Sequence, residues 1–91
     1  MSEVHDNSAR SRYELAADGH TAIAVYRREG DVLAFTHTEV PEALEGKGIG
    51  TRLIAGALAD VRAKGLTIRP LCAFVAAYVD RHPETRDLLA E

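Results

Sequence analysis

The sequence predicts an α+β fold in which a mostly antiparallel sheet is flanked by helices. Three segments between residues 11 and 38 alternate in polarity and are separated by short glycine turns, a pattern typical of an antiparallel β-meander. A long amphipathic helical pattern follows a glycine-rich loop, and one more strand and further helices come after it. A run of strands followed by helices favours the α+β class.

The three strands of the predicted meander are residues 11–17, 21–28 and 32–38. The tight-turn dipeptide Asp18-Gly19 joins the first two strands, and residues 29–31 join the second to the third. Turns of this length connect antiparallel neighbours, so no helix is expected between these strands. The strand that precedes Pro41 is expected to continue, with or without a bulge, to the glycine-rich loop.

The second half of the chain is predicted to contain two helices, a strand and a last short helix. Apolar residues recur at helical spacing from Gly50 to Val61, and Gly65 is the expected C-terminal stop of that helix. Residues 66–71 contain β-branched side chains typical of a strand, and residues 72–80 have helical spacing again. A last short helix is predicted over residues 84–89, with Pro83 at its start.

Length and composition indicate a single globular domain. The chain has 91 residues, of which 46% are hydrophobic and 27% are charged, which is ordinary for globular proteins. Residues 1–9 show no periodicity and are expected to form a flexible tail, whereas residues 10–91 form the domain. The formal net charge of −3 argues against a nucleic-acid partner, because nucleic-acid interfaces are basic and clustered.

The sequence also predicts a cytoplasmic protein with no membrane contact and no metal site. No apolar run approaches the roughly 20 residues that a membrane span needs, and the polar, acidic N-terminus is unlike a signal peptide. One cysteine cannot form an internal disulfide. Histidine and cysteine are scattered singly, without the spacing of zinc ligands.

The glycine loop, residues 46–50, carries the clearest chemical signal. It has glycine at every second position, and a helix begins directly after it. Glycine reaches positive φ freely, and a helix start leaves N–H groups unpaired, so such a loop can bind phosphate or pyrophosphate. A Walker A loop is excluded because Lys47 precedes Gly48 and no hydroxyl follows in the right place. A dinucleotide fingerprint is excluded because Thr51 stands where it needs glycine.

The glycine loop resembles the acyl-coenzyme A loop of the GNAT (GCN5-related) N-acetyltransferase superfamily. That loop reads Gln/Arg-x-x-Gly-x-Gly/Ala, and Gly48 and Gly50 stand in its glycine positions. Glu45 stands where Gln or Arg is usual, and its carboxylate would repel a pyrophosphate. Most of the chain after Arg10 is similar to a branch of small stand-alone GNAT-like domains. The shared signatures lie in residues 35–41, 44–50, 70–75 and 82–84.

The resemblance implies acetyl-CoA as the cofactor and transfer of its acetyl group to an amine. It places the pyrophosphate on the backbone N–H groups of the glycine loop and the pantetheine arm beside residues 38–40, with the N–H of Val40 near the thioester as an oxyanion donor. Lys47 and Arg52 could meet the phosphates. The expected cofactor-binding residues are Val40, Glu45, Gly46, Lys47, Gly48, Ile49, Gly50, Thr51 and Arg52.

Four residues are candidates for catalysis, each with a structural alternative. Cys72 is expected at a helix start, where a thiol pKa is lowered, or as a buried packing residue. His37 is expected to share a strand face with Phe35 and is interpreted as a general base or a hydrogen-bonded core histidine. Glu39 is a lesser candidate base or a solvated strand end. Tyr78 resembles the tyrosine proton donor of many GNAT enzymes, or packs against the core.

The acceptor side is the main departure from the family. Larger members insert two helices between their first and second strands, and here only residues 18–20 lie in the gap between the first two predicted strands. Two functions therefore stay open. One is an N-acetyltransferase that acts on a protein or small-molecule amine as a monomer or weak dimer. The other is a coenzyme A-binding module with little or no turnover.

Overall fold

One mixed sheet of five strands organises the chain in the computed structural model, which describes residues 3–90. The strands lie in the order β1-β2-β3-β4-β5, with β1 to β4 antiparallel and β5 parallel to β4. The predicted α+β class and the antiparallel meander are therefore confirmed. The strand bounds are His5–Asn7, Arg12–Ala17, His20–Glu29, Val32–Glu39 and Thr67–Pro70.

Two α-helices follow the meander. Helix α1 spans Ile49–Ala63 and connects β4 to β5, and α2 spans Ala73–Arg81. Both predicted helices are confirmed, whereas the last predicted helix is a 3-10 helix over Pro83–Leu88. Two further 3-10 turns occupy Ser8–Arg10 and Glu42–Leu44. In the part of the chain that the structure describes, no helix is long and apolar enough to cross a membrane.

Local sequence determines the hairpin after β2 and the end of α1. Asp18 and Gly19 both have positive φ, 50° and 79°, as a two-residue hairpin turn that matches strand twist requires. Gly65, at φ 69°, ends α1 as predicted. Its N–H donates to the Arg62 carbonyl at 3.1 Å, and the next N–H donates to the Val61 carbonyl at 3.0 Å, which satisfies carbonyls at the helix end.

The core lies between one face of the sheet and the apolar face of α1. Tyr13 and Phe35 from the strands are at most 1% exposed, and their rings stack with centroids 6.1 Å apart. Burial of a large apolar side chain contributes about 1.5–3 kcal/mol, so this layer accounts for most of the favourable free energy of folding. The buried residues of α1 are those of the predicted stripe: Gly50, Leu53, Ile54, Ala57, Leu58 and Val61, together with Ile49.

Residues 5–9 correct the expectation of a flexible tail over residues 1–9. His5–Asn7 pairs with β2 as an edge strand, and the next three residues form a 3-10 turn. The edge strand is held by contacts distant in sequence, including a 2.7 Å hydrogen bond from the Tyr26 hydroxyl to Asp6. Three residues are too few to show alternation, which is why the pattern was missed. Met1 and Ser2 of the expected tail lie outside the described residues.

A β-bulge in β4 corrects the predicted position of His37. Tyr26 pairs with Phe35, but its neighbour Val25 pairs with His37, so Thr36 is an extra residue in β4. Because directly opposite residues lie on the same face of a sheet, His37 lies on the face of Val25, opposite to Phe35. The expectation that Phe35 and His37 share a face is therefore wrong.

The same bulge brings Thr38 to the core face. Thr38 pairs with Ala24, which is fully buried and lies two residues from Tyr26 on the same face. Beyond the bulge, the face that carries Phe35 is therefore continued by Thr38. This threonine is directed to the side of the sheet on which the helices pack.

Candidate functional site

A cavity of about 590 Å³, called here the first cavity, lies where β4 ends and α1 begins. Residues 38–40 form one side, residues 44–46 and 48–51 form another, and Phe74 of α2 completes it. Most of the predicted cofactor-binding residues therefore meet at one place. The 3-10 turn Glu42–Leu44 separates β4 from the glycine loop, so the strand ends before the loop.

Residues 46–51 form the glycine loop and the first turn of α1, and all of them except Lys47 line the first cavity with backbone N–H groups that can serve as donors. Among residues 3–90, the structure records no hydrogen-bond partner for any of them. Gly48 is the N-cap of α1 with φ 72°, and the Arg52 N–H makes the bond to its carbonyl at 3.1 Å. Gly46 also has positive φ, 78°. Both glycines adopt a conformation that side-chain-bearing residues rarely take.

Gly50 lets the aromatic ring of Phe74 lie against the first turn of α1. A Cβ at position 50 would come within 2.6 Å of the Phe74 Cζ atom, closer than van der Waals contact allows. Phe74 is 41% exposed even so. The glycine therefore has a second role besides helping to form the loop, because it makes room for a wall of the first cavity.

The two cations near the glycine loop are already paired. Lys47 Nζ lies 2.9 Å from Asp18 Oδ2, and Arg52 Nε donates to Glu3 Oε1 at 2.9 Å. The hydrogen bond from Lys47 lowers the pKa of the Asp18 carboxyl. Neither cation lines the first cavity, whereas Glu45 does. The charged side chains at the cavity wall, Glu39 and Glu45, are thus acidic, and the favourable groups for an anion are backbone donors.

Cys72 is the N-cap of α2, and its side chain is half-buried. Its Sγ atom lies 3.3 Å from the Thr38 hydroxyl oxygen, and its N–H donates to the Phe35 carbonyl at 2.8 Å. Burial raises the thiol pKa, but hydrogen bonds from Thr38 and from the N–H groups of Val75 and Phe74 outweigh it and lower the pKa overall. The predicted helix-start position of Cys72 is confirmed.

His37 and Glu39 form an exposed pair at the end of β4. His37 Nε2 lies 3.2 Å from Glu39 Oε2, and the two side chains are 57% and 67% exposed. Glu39 lines the first cavity and His37 does not. The alternative of a core histidine is excluded by this exposure.

Tyr78 lies away from the first cavity. Its ring stacks on His82 with centroids 4.1 Å apart, and it lines a different cavity beside α2. Burial, and then the negative charge of Glu84, raise its pKa. The structure thus separates Tyr78 from the other predicted catalytic residues.

Two residues of the first cavity, Leu44 and Phe74, were not among the predicted binding or catalytic residues. Thr38 was expected beside the pantetheine arm, and it reaches the cavity because of the bulge. Phe74 is part of a quoted signature, and a large apolar residue exposed on an amphipathic helix is a signal that could have indicated it.

The structure places the short connection on the acceptor side at a different position from the one expected. Because His5–Asn7 is the first strand, the gap between the first two strands consists of residues 8–11 and not of residues 18–20. It contains only the 3-10 turn Ser8–Arg10. The expected shortness of this connection still holds.

Comparison with known proteins agrees with this geometry. A family model described as GCN5-related N-acetyl-transferase matches residues 12–88. Protein NATD1 of Gallus gallus is 29% identical over 84 residues, which cover 89% of this chain and 76% of that protein. The NMR solution structure of a GCN5-like protein from Staphylococcus aureus has a TM-score of 0.73 at 22% identity, covering 99% of this chain and 91% of the other. The last likeness supports the fold.

Proposed function

The chain belongs to the GCN5-related N-acetyltransferase family, and we propose that it transfers an acetyl group from acetyl-CoA to the amine of a small molecule or protein. Membership of the family supports acetyl transfer in general. The observation that carries the coenzyme assignment is the row of unpaired N–H groups in residues 46–51. Backbone donors at a helix start are the groups that bind a pyrophosphate.

The residues around the glycine loop fit such a ligand. Gly46 and Gly48 have no Cβ, so phosphate oxygens can approach the backbone closely. Lys47 and Arg52 can leave their carboxylate partners for the phosphates, because ion pairs exposed to water are weak. Glu45 opposes the ligand, and the backbone donors must offset its charge.

The acetyl end of the coenzyme is assigned to residues 38–40. Bound acetyl-CoA would supply an activated acetyl group: the amine would attack the thioester carbonyl carbon, the C–S bond would break, and the departing thiolate would take up the proton that the new amide nitrogen loses. The Val40 N–H is proposed to donate to the carbonyl oxygen. Cys72 faces this region through Thr38, since its Sγ is 3.3 Å from the threonine hydroxyl.

Glu39 is the proposed general base, which takes the proton of the attacking ammonium group. Glu39 lines the first cavity and His37 does not, and the two side chains, which share one face of β4, lie 3.2 Å apart. His37 then orients Glu39 and exchanges protons between it and water. A carboxylate in this role makes the active form the deprotonated one.

Titration calorimetry with CoA and with acetyl-CoA tests the coenzyme assignment. The unmodified protein should bind both, and Gly48→Val should lose binding by at least about 100-fold because a side chain is strained at φ 72° and covers the donors. Gly30→Val is the matched control. Gly30 has a similar φ of 64° and open space around it, but it lies in the β3–β4 turn. Equal loss in both variants, or no binding by the unmodified protein, would contradict the assignment.

A coenzyme A-binding module with little turnover is the second candidate. The four-residue connection between β1 and β2 favours it, because that connection offers few groups to hold an acceptor. Release of coenzyme thiol measured against a panel of amines separates the two functions. Thiol release that depends on one class of amine supports the enzyme, whereas tight binding without thiol release for any amine supports the module.

A further inference from the structure

The N-terminal segment of residues 3–7, called here the strap, lies along α1. The strap includes the edge strand β1, which pairs with β2. Its two carboxylates contact opposite ends of α1. Glu3 pairs with Arg52 near the start of the helix, and Asp6 Oδ2 lies 3.0 Å from Nζ of the C-cap residue Lys64. The strap therefore connects the end of α1 that follows the glycine loop with the opposite end.

The two ends of the strap differ in how firmly they are held. The Asp6 side chain is 18% exposed and accepts a 2.7 Å hydrogen bond from the hydroxyl of the buried Tyr26. The side chains of Glu3 and Arg52 are 53% and 49% exposed, and within residues 3–90 no other side chain is recorded in contact with this pair. Ion pairs exposed to water are weak, so the Glu3 end can detach while Asp6 still holds β1 in the sheet.

Glu3 occupies the part of Arg52 that a phosphate would bind. Arg52 Nε donates to Glu3 Oε1 at 2.9 Å, and Nη2 donates to the second carboxylate oxygen. This two-point contact keeps the pKa of the Glu3 carboxyl below its ordinary value, so Glu3 is an anion at neutral pH. A guanidinium group binds phosphate through the same pair of donors. The carboxylate and a phosphate therefore compete for one pair of N–H groups.

Arg52 lies close enough to the glycine loop for this competition to affect a ligand there. Its backbone N–H donates to the Gly48 carbonyl at 3.1 Å, so Arg52 is one helical turn beyond the loop. Side chains of an α-helix lean toward its N-terminus. A released Arg52 side chain can therefore reach back to a phosphate that the loop binds.

The other cation at the glycine loop is held in a different way. Asp18 Oδ2 lies 2.9 Å from Lys47 Nζ, but Asp18 belongs to the two-residue turn between β2 and β3. Loss of that ion pair leaves the backbone of the turn fixed between two paired strands. Glu3 precedes the first strand, so loss of its ion pair also releases backbone. Of these two carboxylates, Glu3 is the one that can couple anion binding to a movement of the chain.

We propose that the strap is an autoinhibitory contact: Glu3 occupies Arg52 in the free protein, and a phosphate group of the coenzyme displaces it, which detaches the Glu3 end of the strap from α1. The inference rests on the proposed function, since it takes the coenzyme as the displacing anion. Glu3 is tethered, so it competes at a high effective concentration. The apparent affinity for the coenzyme is reduced to the fraction of molecules in which Arg52 is free, and for an exposed ion pair this reduction is about two- to fivefold.

Titration calorimetry with CoA on the full chain tests the competition. Glu3→Gln should bind CoA about two- to fivefold more tightly than the unmodified protein, because Arg52 is free. Arg52→Ala should bind CoA more weakly than Glu3→Gln, and the double variant should equal Arg52→Ala because there is no competition left to remove. The double variant distinguishes release of Arg52 from simple removal of a negative charge, which would favour an anion with or without Arg52.

Asp87→Asn is the matched control. Asp87 also forms an exposed two-point ion pair with an arginine of α1, but with Arg62 near the C-terminal end of the helix. The variant removes the same charge, and its affinity for CoA should equal that of the unmodified protein. Circular dichroism checks that every variant is folded.

Hydrogen exchange measures the strap directly. Coupling between two events is reciprocal, so CoA should accelerate the exchange of the backbone amides at the start of the strap by the same factor of about two to five. In Arg52→Ala this exchange should already be fast without CoA, and CoA should not change it. The amides around Asp6 should keep their protection in both proteins.

The outcomes separate this inference from the proposed function. Equal CoA affinity in the unmodified protein and in Glu3→Gln would overturn the competition and leave the coenzyme assignment intact. A gain that persists in the double variant, or an equal gain in Asp87→Asn, would show a general charge effect and would also overturn it. Slower exchange of the strap with CoA would mean that the coenzyme tightens the strap, the reverse of the proposal. Absence of CoA binding by all of these proteins would overturn the proposed function and the inference together.

Discussion

The two ends of α1 differ in how their polar groups are satisfied. At the N-terminal end, the N–H groups of residues 46–51 have no recorded partner within residues 3–90, and the nearby cations form exposed ion pairs. At the C-terminal end, Tyr13 donates to Asp60 at 2.6 Å, and Lys64 lies 2.8 Å from the same carboxylate. One end is open to a ligand, and the other is closed by its own side chains.

The closed end, called here the tyrosine network, also holds the edge strand. Lys64 Nζ lies 3.0 Å from Asp6 in β1, and Asp6 accepts a 2.7 Å hydrogen bond from Tyr26. Both tyrosines are nearly fully buried. No buried side-chain nitrogen or oxygen among the described residues lacks a partner, so little free energy is lost to unpaired groups there.

This difference shows where stability and function are placed in a small domain. A buried polar group left unpaired costs about 1–3 kcal/mol, so the tyrosine network is expected to be sensitive to substitution. Exposed N–H groups at a helix start are satisfied by water at little cost, and a ligand can replace that water. Substitutions at the two ends should therefore separate stability from binding and turnover.

The largest expected effect is on turnover at the open end. Glu39→Gln should reduce acetyl transfer by about 100-fold or more, because general acid–base catalysis typically contributes 10²–10⁴-fold. His37→Gln, at the neighbouring exposed position, should lose less than about tenfold. Rates measured from pH 6 to 9 check this, and urea unfolding should find both variants as stable as the unmodified protein. A larger loss in His37→Gln would instead identify histidine as the base.

Substitution in the tyrosine network should reduce stability. Asp60→Ala leaves the Tyr13 hydroxyl buried without its acceptor, and we expect the free energy of unfolding to fall by about 1–3 kcal/mol. Asp80→Ala, the same change at an exposed position of α2, is the control. Chemical denaturation measures both variants, and CoA affinity in Asp60→Ala should stay unchanged. A stability loss as large in Asp80→Ala would exclude a special role for the network.

High pH should weaken the same end selectively. Burial and the hydrogen bond to Asp6 raise the pKa of Tyr26 from 10.0 to about 12, and burial also raises the pKa of Tyr13. Because the folded state holds these protons more tightly, their stabilisation is complete below pH 10 and falls as the pH rises above it, with the contribution of Tyr26 lost by about pH 12.

The slope of stability against pH measures this loss. Each titrating tyrosine should contribute about 1.4 kcal/mol per pH unit between pH 10 and 12. Tyr26→Phe should show a shallower slope than the unmodified protein, since one titrating group of the network is gone while Tyr13 and Lys64 remain. Identical slopes would mean that Tyr26 does not titrate with folding.

The smallest expected effect concerns Cys72, at the boundary of the open end. Its thiol pKa lies below the ordinary value of 9.0, so alkylation by iodoacetamide should reach half its maximal rate below pH 9. Thr38→Val, which removes the hydroxyl 3.3 Å from Sγ, should move this point to higher pH.

Intact-protein mass spectrometry after incubation with acetyl-CoA extends this test to the reaction. An acetyl adduct on Cys72 that an amine discharges would support transfer through the cysteine. No adduct, together with full turnover in Cys72→Ala, would support direct transfer and leave Cys72 a packing residue.

Local patterns in the sequence were enough to predict the meander, both helices and the glycine loop. The alternation in residues 12–17 and the apolar stripe of α1 each indicate a face that is buried. The dipeptide Asp18-Gly19 favours a tight turn by itself. These features depend on neighbours within a few positions of the chain. The residues of the glycine loop also lie together because they are adjacent in sequence, and the helix that follows them leaves their N–H groups without helical acceptors.

The rest was decided by pairing between distant residues. The bulge at Thr36 depends on how β4 meets β3, and it exchanged His37 for Thr38 on the face toward the helices. The edge strand exists because Asp6 meets Tyr26. The packing of α2 places Tyr78 in the cavity beside that helix and not in the first cavity, whereas Phe74 lines both cavities. A shift of one residue in register moves a side chain to the opposite face, and only the tertiary contacts determine that register.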